Sequence, residues 1–137
     1  MLIKNKRLAI PALFVAVILL AACGAPPEPE QSLEERVIAR WTLMIERDFE
    51  QAWEYYSPGF RQTTPAQDFA RDMGRRPVRW EGVEWQGKDC DEDVCQVTVD
   101  IAYRPIGAPG EQSRMRLSRP IQERWIRVEE TWWFVPN

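Results

Sequence analysis

The chain of 137 residues lacks histidine and has only three cysteines. It also has no apolar run of the about 20 residues that a membrane-spanning helix needs. Without histidine, the commonest side chain for general acid–base work and metal binding is missing. A glycine-rich phosphate loop, a cluster with metal-ligand spacing and a nucleophile elbow are absent too. We therefore expect no cofactor and no metal.

Charge is distributed unevenly between the N-terminus and the rest of the chain. Residues 1–22 carry Lys4, Lys6 and Arg7 and no acid, which leaves 15 basic and 21 acidic residues in positions 23–137, a net charge of −6. An acidic chain lacks the electrostatic footprint of a nucleic-acid-binding protein, so we expect no nucleic acid partner. Those 115 residues suffice for one domain with one core.

Beyond residue 22 the chain has one lysine, Lys88, and 14 arginines. The pair Arg75-Arg76 and the three arginines between Arg114 and Arg119 could bind carboxylates or phosphates, because the guanidinium group matches both. With 21 acids in the chain, salt bridges on a solvated face are the expected use.

The N-terminus has the order of a secretory signal: a positive head, then the apolar run Leu8–Ala22, which ends in small residues. The segment Leu20–Gly24, with Cys23 inside it, resembles the lipobox of bacterial lipoproteins. That resemblance implies that residues 1–22 are removed and that Cys23 carries acyl chains, which anchor the protein stably when there are two or three of them. Since Gly24 is not aspartate, the resemblance also implies the periplasmic face of the outer membrane in a Gram-negative host. A start-transfer anchor that happens to contain a cysteine is the alternative.

Residues 23–31 form a proline-rich, polar segment, which predicts an extended tether before a domain at 32–137. About three helices are expected in the first half of that domain. Ser32 and Glu35 form a capping box, and the apolar spacing behind them predicts a helix up to a break near Asp48. A short helix over Phe49–Tyr56 and a third from Pro65 to about Met73 follow.

The second half of the domain changes to the two-residue period of strands. A sheet preceded by helices is typical of the α+β class. The β-rich runs are Val78–Trp85, Val94–Tyr103, Ser113–Ser118, Ile121–Val128 and Trp132–Val135.

The segment Asp48–Trp53 before a Ser-Pro turn, and a last strand carrying Trp132–Phe134, resemble the nuclear transport factor 2-like (NTF2-like) family. That resemblance implies a cone in which about three N-terminal helices pack on a curved mixed or antiparallel sheet of four to five strands. A cystatin-like sheet wrapped on a helix is the competing fold. The family contains both enzymes and non-catalytic domains, so the fold alone does not give the function.

Cys90 and Cys95 flank a short acidic turn before the clearest strand. In an oxidising compartment such a pair predicts a disulfide that holds a hairpin in register. The alternating acids Asp89, Asp91 and Asp93 are reminiscent of a calcium loop. However, that loop needs glycine at its sixth position, where this chain has Val94. A solvated hairpin tip is the favoured interpretation.

Seven tryptophans stand out in the composition. Adjacent residues of a strand point to opposite faces, so Trp132 and Trp133 predict that both sheet faces are partly covered. One face would pack on the helices, and the other could meet a second copy of the chain, an envelope protein or a ligand. Packing within the core is the simpler alternative for each. The candidate pocket or interface residues are Trp41, Trp53, Asp100, Tyr103, Trp125, Trp132 and Trp133.

An enzyme of this fold would place an acid or base deep in the cone. The candidates are Asp48, Asp100 and the three tyrosines, Tyr55, Tyr56 and Tyr103. Each has a simpler explanation: Asp48 is a helix cap, Asp100 alternates with core residues, and tyrosines suit edges. We therefore expect a membrane-anchored, non-catalytic binding or interaction module. A small-molecule isomerase, cyclase or hydrolase that uses an acid in the pocket is the alternative.

Overall fold

The computed structural model describes residues 31–137, so the predictions for the signal peptide 1–22, for Cys23 and for nearly all of the tether lie outside the described residues. Four helices precede four strands, which confirms the α+β class. Within residues 31–137, none of the helices is long and apolar enough to cross a membrane. The elements are α1 Leu33–Glu46, α2 Phe49–Trp53, α3 Pro58–Thr63, α4 Ala66–Arg75, β1 Val78–Asp91, β2 Val94–Pro105, β3 Leu117–Val128 and β4 Thr131–Val135, with a short 3-10 helix at Gly110–Arg114.

The helix starts follow the predicted capping residues. Ser32 Oγ accepts from the Glu35 backbone N–H at 3.2 Å, and the Ser32 N–H donates to Glu35 Oε2 at 2.7 Å, so the capping box is formed. α1 ends at Glu46 and is capped by Arg47, whose backbone is left-handed with φ 65°. Asp48 then caps α2 by accepting from the Gln51 N–H at 3.3 Å, which confirms the break at this position.

The predicted helix over Phe49–Tyr56 is too long, because the chain turns at Glu54 and Tyr55 and forms a β-bridge at Tyr56. The Phe134 N–H donates to the Tyr55 carbonyl at 2.9 Å, and the Ser57 N–H donates to the Phe134 carbonyl at 2.8 Å. These hydrogen bonds attach the segment to β4 in a parallel bridge. Pairing with a strand far away in sequence therefore overrides the local helical pattern.

A fourth helix, α3, was not predicted. The Ser-Pro turn at Ser57-Pro58 begins this helix, because Ser57 accepts from the Phe60 N–H at 3.4 Å and caps α3. Pro58 occupies the first turn, where its missing N–H costs no hydrogen bond.

The strands form one antiparallel sheet in the order β1-β2-β3-β4. The strand predicted at Ser113–Ser118 is mostly wrong, because Ser113 and Arg114 belong to the 3-10 helix. Only Leu117 and Ser118 of that run are in β3, where they continue into the predicted run Ile121–Val128. Pro120 does not interrupt β3, because β4 pairs with β3 only from Arg124 onward. In the part of the chain that the structure describes, Pro120 thus has a strand neighbour on one side only, as proline requires.

The helices pack on one face of the sheet, where the hydrophobic core lies. Val97, Val99 and Ile101 of β2 are buried on this inner face, whereas Thr98 and Asp100, which alternate with them, lie on the outer face. Full burial of one such side chain contributes about 1.5–3 kcal/mol. β1 carries two bulges, between Trp80 and Gly82 and between Trp85 and Gly87, and bulges bend a strand.

The hairpin between β1 and β2 carries the predicted disulfide. Cys90 and Cys95 are directly opposite each other in the register and are bonded. Cys95 is fully buried, whereas Cys90 is exposed. The bond thus closes the hairpin at the edge of the core.

We expect the reduced protein to lose about 2 kcal/mol of unfolding free energy, because the closed loop is short and constrains the unfolded chain only modestly. Urea titrations with and without a reductant measure the difference. The double variant Cys90→Ser/Cys95→Ala should match the reduced protein and should not respond to the reductant. An unchanged midpoint on reduction would contradict a stabilising disulfide.

Candidate functional site

A cavity of about 480 Å³ lies between the helices and the inner face of the sheet. Its size is within the range of small-molecule sites, which are concave and mostly apolar with a few polar groups. Aromatic, methionine and isoleucine side chains form most of its wall: Trp41, Met44, Tyr56, Phe60, Phe69, Met73, Trp80, Ile121 and Phe134.

An ion pair lies at the floor of this cavity. Arg40 of α1 donates through Nη2 to Oε1 of Glu123 of β3, and both side chains are 2% exposed. Charges this deeply buried need each other, since either one alone would face a large desolvation cost. The pair therefore fastens the first helix to the sheet.

Two indole groups complete the coordination of Glu123. Trp41 Nε1 donates to Oε1 at 2.8 Å, and Trp125 Nε1 donates to Oε2 at 2.9 Å. Both carboxylate oxygens thus accept hydrogen bonds from the protein. Trp125, predicted as a pocket or interface residue, is fully buried and serves to hold this acid.

Aromatic rings surround the guanidinium group of Arg40. Its central carbon lies 4.1 Å from the ring centre of Phe134 and 4.8 Å from that of Trp41. Its Nη1 donates to the Tyr56 hydroxyl at 3.3 Å. Cation–π contacts of this kind become stronger when the cation is withdrawn from water.

Tyr56 is 5% exposed in the cavity wall. Burial raises the pKa of its phenol above the ordinary value, and the positive charge of Arg40 opposes that rise only in part. The phenol is therefore a neutral hydrogen-bonding group at physiological pH.

A second cavity of about 240 Å³ adjoins the first. Arg76, Trp80 and Ile121 line both cavities, so the two share a wall. The other residues that line the smaller cavity are Val78, Ile101, Tyr103 and Arg119. Tyr103 is thus placed at an inner cavity.

Two of the predicted tryptophans belong to an alternating stack of aromatic rings and arginines. Arg36 lies 4.6 Å from the ring centre of Tyr55 and 5.2 Å from that of Trp133. Arg61 lies 4.8 Å from Trp133 and 5.2 Å from Trp53. Trp53 and Trp133 therefore join the helices to the edge strand, away from the cavity.

Trp132, the neighbour of Trp133 in β4, packs against the core instead. The guanidinium of Arg127 lies 5.4 Å from a ring centre of Trp132. The two adjacent tryptophans thus have different surroundings, as the alternation of a strand predicts.

Asp100 lies apart from the other candidates, in a cleft on the outer face of the sheet. The cleft holds about 510 Å³ and is also lined by Gly82, Glu84, Ala102 and Arg116. The Oδ1 atom of Asp100 is buried there without a hydrogen-bond partner. The structure therefore divides the predicted set between the core, the inner cavities, an edge stack and an outer cleft. Across residues 31–137, no three cysteine or acidic side chains come close enough to hold a metal ion.

Sequence reasoning missed Arg40 and Glu123, although both leave a signal. Glu123 falls in the same alternating phase as Ile121 and Trp125, where an acid must face inward. Arg40 precedes Trp41 on the apolar side of α1, three residues after Val37. The pattern of each element thus places its charge on a buried face, but it does not specify the partner.

Several solved structures share the fold. A SEC-C motif containing protein from Rhodopseudomonas palustris has a TM-score of 0.59 at 15% identity, and the match covers 77% of this chain and 76% of that one. A second SEC-C motif containing protein, from Psychrobacter arcticus, has a TM-score of 0.61 at 10% identity, with 77% and 59% covered. An NTF2-like transpeptidase from Campylobacter jejuni has a TM-score of 0.54 at 8% identity, with 78% and 100% covered.

The likeness to the transpeptidase supports the NTF2-like fold expected from the sequence. At identities this low, the likeness concerns the fold and not the activity. Neither a protein-family profile nor a curated protein matches the chain.

Removing one partner of the buried pair should be costly. Arg40→Met leaves the carboxylate of Glu123 buried without its cation, and we expect a loss of about 3–5 kcal/mol in unfolding free energy. The double variant Arg40→Met/Glu123→Gln should lose less than the sum of the single variants, by up to about 3 kcal/mol. Urea unfolding of the four proteins measures this coupling.

The exposed pair Arg71–Asp68, 54% and 52% exposed, is the matched control. The same cycle there should give a coupling of only about 0.2–0.5 kcal/mol. Equal coupling at the two sites would contradict the structural importance of the buried pair.

Tyr56 should lower the free energy of unfolding as the pH becomes alkaline. Because the folded protein raises its pKa, the stabilising contribution is complete below the ordinary phenol value of about 10 and is lost as the pH rises through the folded pKa. Tyr56→Phe should remove that part of the alkaline loss, and it should also remove the latest step of the phenolate absorbance titration. A titration unchanged in Tyr56→Phe would contradict this assignment.

Proposed function

We propose that this protein is a membrane-anchored envelope lipoprotein whose domain binds a small, largely apolar ligand without transforming it. The observation that carries the proposal is the fully hydrogen-bonded state of Glu123 at the floor of an open, mostly apolar cavity. Its two oxygens accept from Arg40, Trp41 and Trp125. These hydrogen bonds make Glu123 part of the structure of the cavity floor, and the cavity above it has room for a ligand.

A general acid or base needs a group that can exchange a proton with a substrate at working pH. To do so, Glu123 would have to break hydrogen bonds that hold the core together. Burial raises the pKa of Tyr56 above the ordinary phenol value, so its phenol stays protonated at working pH. Asp72 lies at the cavity but is exposed. These features support binding over the alternative of an isomerase, cyclase or hydrolase.

The anchor part of the proposal rests on Cys23 and the segment before it. Residues 23–31 would span at most about 30 Å when fully extended, and α1 begins two residues later, at Leu33. This length would keep the domain close to the membrane. For a Gram-negative host, we propose the periplasmic face of the outer membrane, because glycine and not aspartate follows the cysteine.

A homodimer or an envelope protein partner remains a prediction. The outer face of the sheet, where a second copy would dock, carries Gln96, Thr98, Ser118 and Gln122 among its residues. A polar face of this kind suits a transient contact more than an obligate, apolar dimer interface.

Metabolic labelling with palmitate in a Gram-negative host tests the anchor. The wild-type protein should become labelled, should begin at residue 23 after processing and should fractionate with outer membranes. Cys23→Ser should be unlabelled and remain unprocessed, because the acceptor sulfur is gone. Cys90→Ser is the matched control and should be labelled like the wild type. Label retained in Cys23→Ser, or absent from the wild type, would refute the anchor.

A further inference from the structure

We propose that the inner cavities bind an anionic amphiphile, a small molecule with an apolar body and one carboxylate or phosphate group. Arg76 and Arg119 would hold the anionic group. This inference rests on the proposed function as a binding module, and it adds the chemical class of the ligand.

The smaller cavity supplies the first step of the argument. Among residues 31–137, Arg76 and Arg119 are the only charged residues that line it, and no acid of that range does. Val78, Ile101 and Ile121 provide apolar wall. Two positive charges above an apolar wall are complementary to an anionic group that is joined to an apolar body.

The second step is that these arginines are not engaged by acids. Other arginines of residues 31–137 pair with carboxylates, as Arg104 does with Glu81 at 3.0 Å. Within the same range, Arg76 and Arg119 have no ion-pair partner. Arg119 instead lies 5.9 Å from the ring centre of Tyr103. Salt bridges thus engage six of the 14 arginines of residues 31–137, and neither Arg76 nor Arg119 is among those six.

The third step is position. Arg76 follows the end of α4, and Arg119 lies on β3 opposite Ile101, whose side chain faces the core. Separate elements therefore bring both arginines to the same cavity. A guanidinium fork matches the geometry of a carboxylate or phosphate and forms charge-assisted hydrogen bonds with it.

The last step is room for the apolar body. The smaller cavity shares Trp80 and Ile121 with the cavity of about 480 Å³. That larger cavity extends over aromatic side chains as far as Tyr56 and Phe134. An aromatic or acyl body could thus enter from the arginine end and lie along this wall, leaving its charge at the opening.

Equilibrium dialysis of the full-length protein in phosphatidylcholine vesicles tests the proposal, with protein-free vesicles as the blank. The probes are naphthoate, its uncharged analogue naphthamide, and naphthyl phosphate. We expect naphthoate to bind at least about tenfold more tightly than naphthamide, because hydrogen bonds to a charged group are the stronger kind. Comparison with naphthyl phosphate then identifies the preferred anionic group.

Arg76→Gln and Arg119→Gln should each weaken naphthoate binding about tenfold and leave naphthamide unchanged. Both side chains are exposed, so the variants should fold normally. The matched controls are Arg75→Gln, next to Arg76, and Arg124→Gln, on the same strand as Arg119. Neither control residue lines an inner cavity.

Equal binding of naphthoate and naphthamide would overturn the ligand class but leave the binding module in place, because the amide would still occupy the cavity. The ligand class is overturned in the same way if the control variants weaken naphthoate binding as much as Arg76→Gln and Arg119→Gln do. If neither naphthoate nor naphthamide binds, the ligand class and the cavity as a binding site both fail. Naphthamide binding therefore distinguishes the two failures.

Discussion

The carboxylate of Glu123 is the group on which the rest of the structure depends. It takes hydrogen bonds from Arg40 and Trp41 of the first helix and from Trp125 of its own strand. Through Arg40, the same network reaches the Tyr56 hydroxyl, whose chain segment pairs with β4. A buried acid without these partners would be strongly destabilising, so the helix, the central strand and the edge segment must assemble together.

The start of α1 and the smaller cavity lie toward opposite ends of the sheet. Near the start of α1, Arg36 donates to the Trp132 carbonyl at 2.6 Å, which places the first turn of α1 beside the turn between β3 and β4. Arg119 lies toward the other end of β3, at the smaller cavity. A domain tethered in this way would present its arginine-bordered opening at the end of the sheet opposite to its point of attachment.

Helix caps and the alternation of strands could be predicted from the sequence, because they depend on interactions between residues close together in the chain. The Ser32 capping box, the Asp48 cap and the alternation through Val97 and Val99 depend on neighbours a few residues away. The Cys90–Cys95 bond closes a hairpin of that same scale. The end of α2 and the existence of α3 could not be read in this way, because β4 captures the segment around Tyr56 from far along the chain.

By itself, the sequence determined the α+β class, the order of helices before strands, the hairpin disulfide and the prediction of a lipid anchor at Cys23. Only the tertiary structure decided the candidate site. Arg40 and Glu123 are 83 residues apart, and Arg76 and Arg119 come from a helix end and a strand. No local pattern specifies which side chains meet across a core, because pairing of buried charges depends on how the helices settle on the sheet.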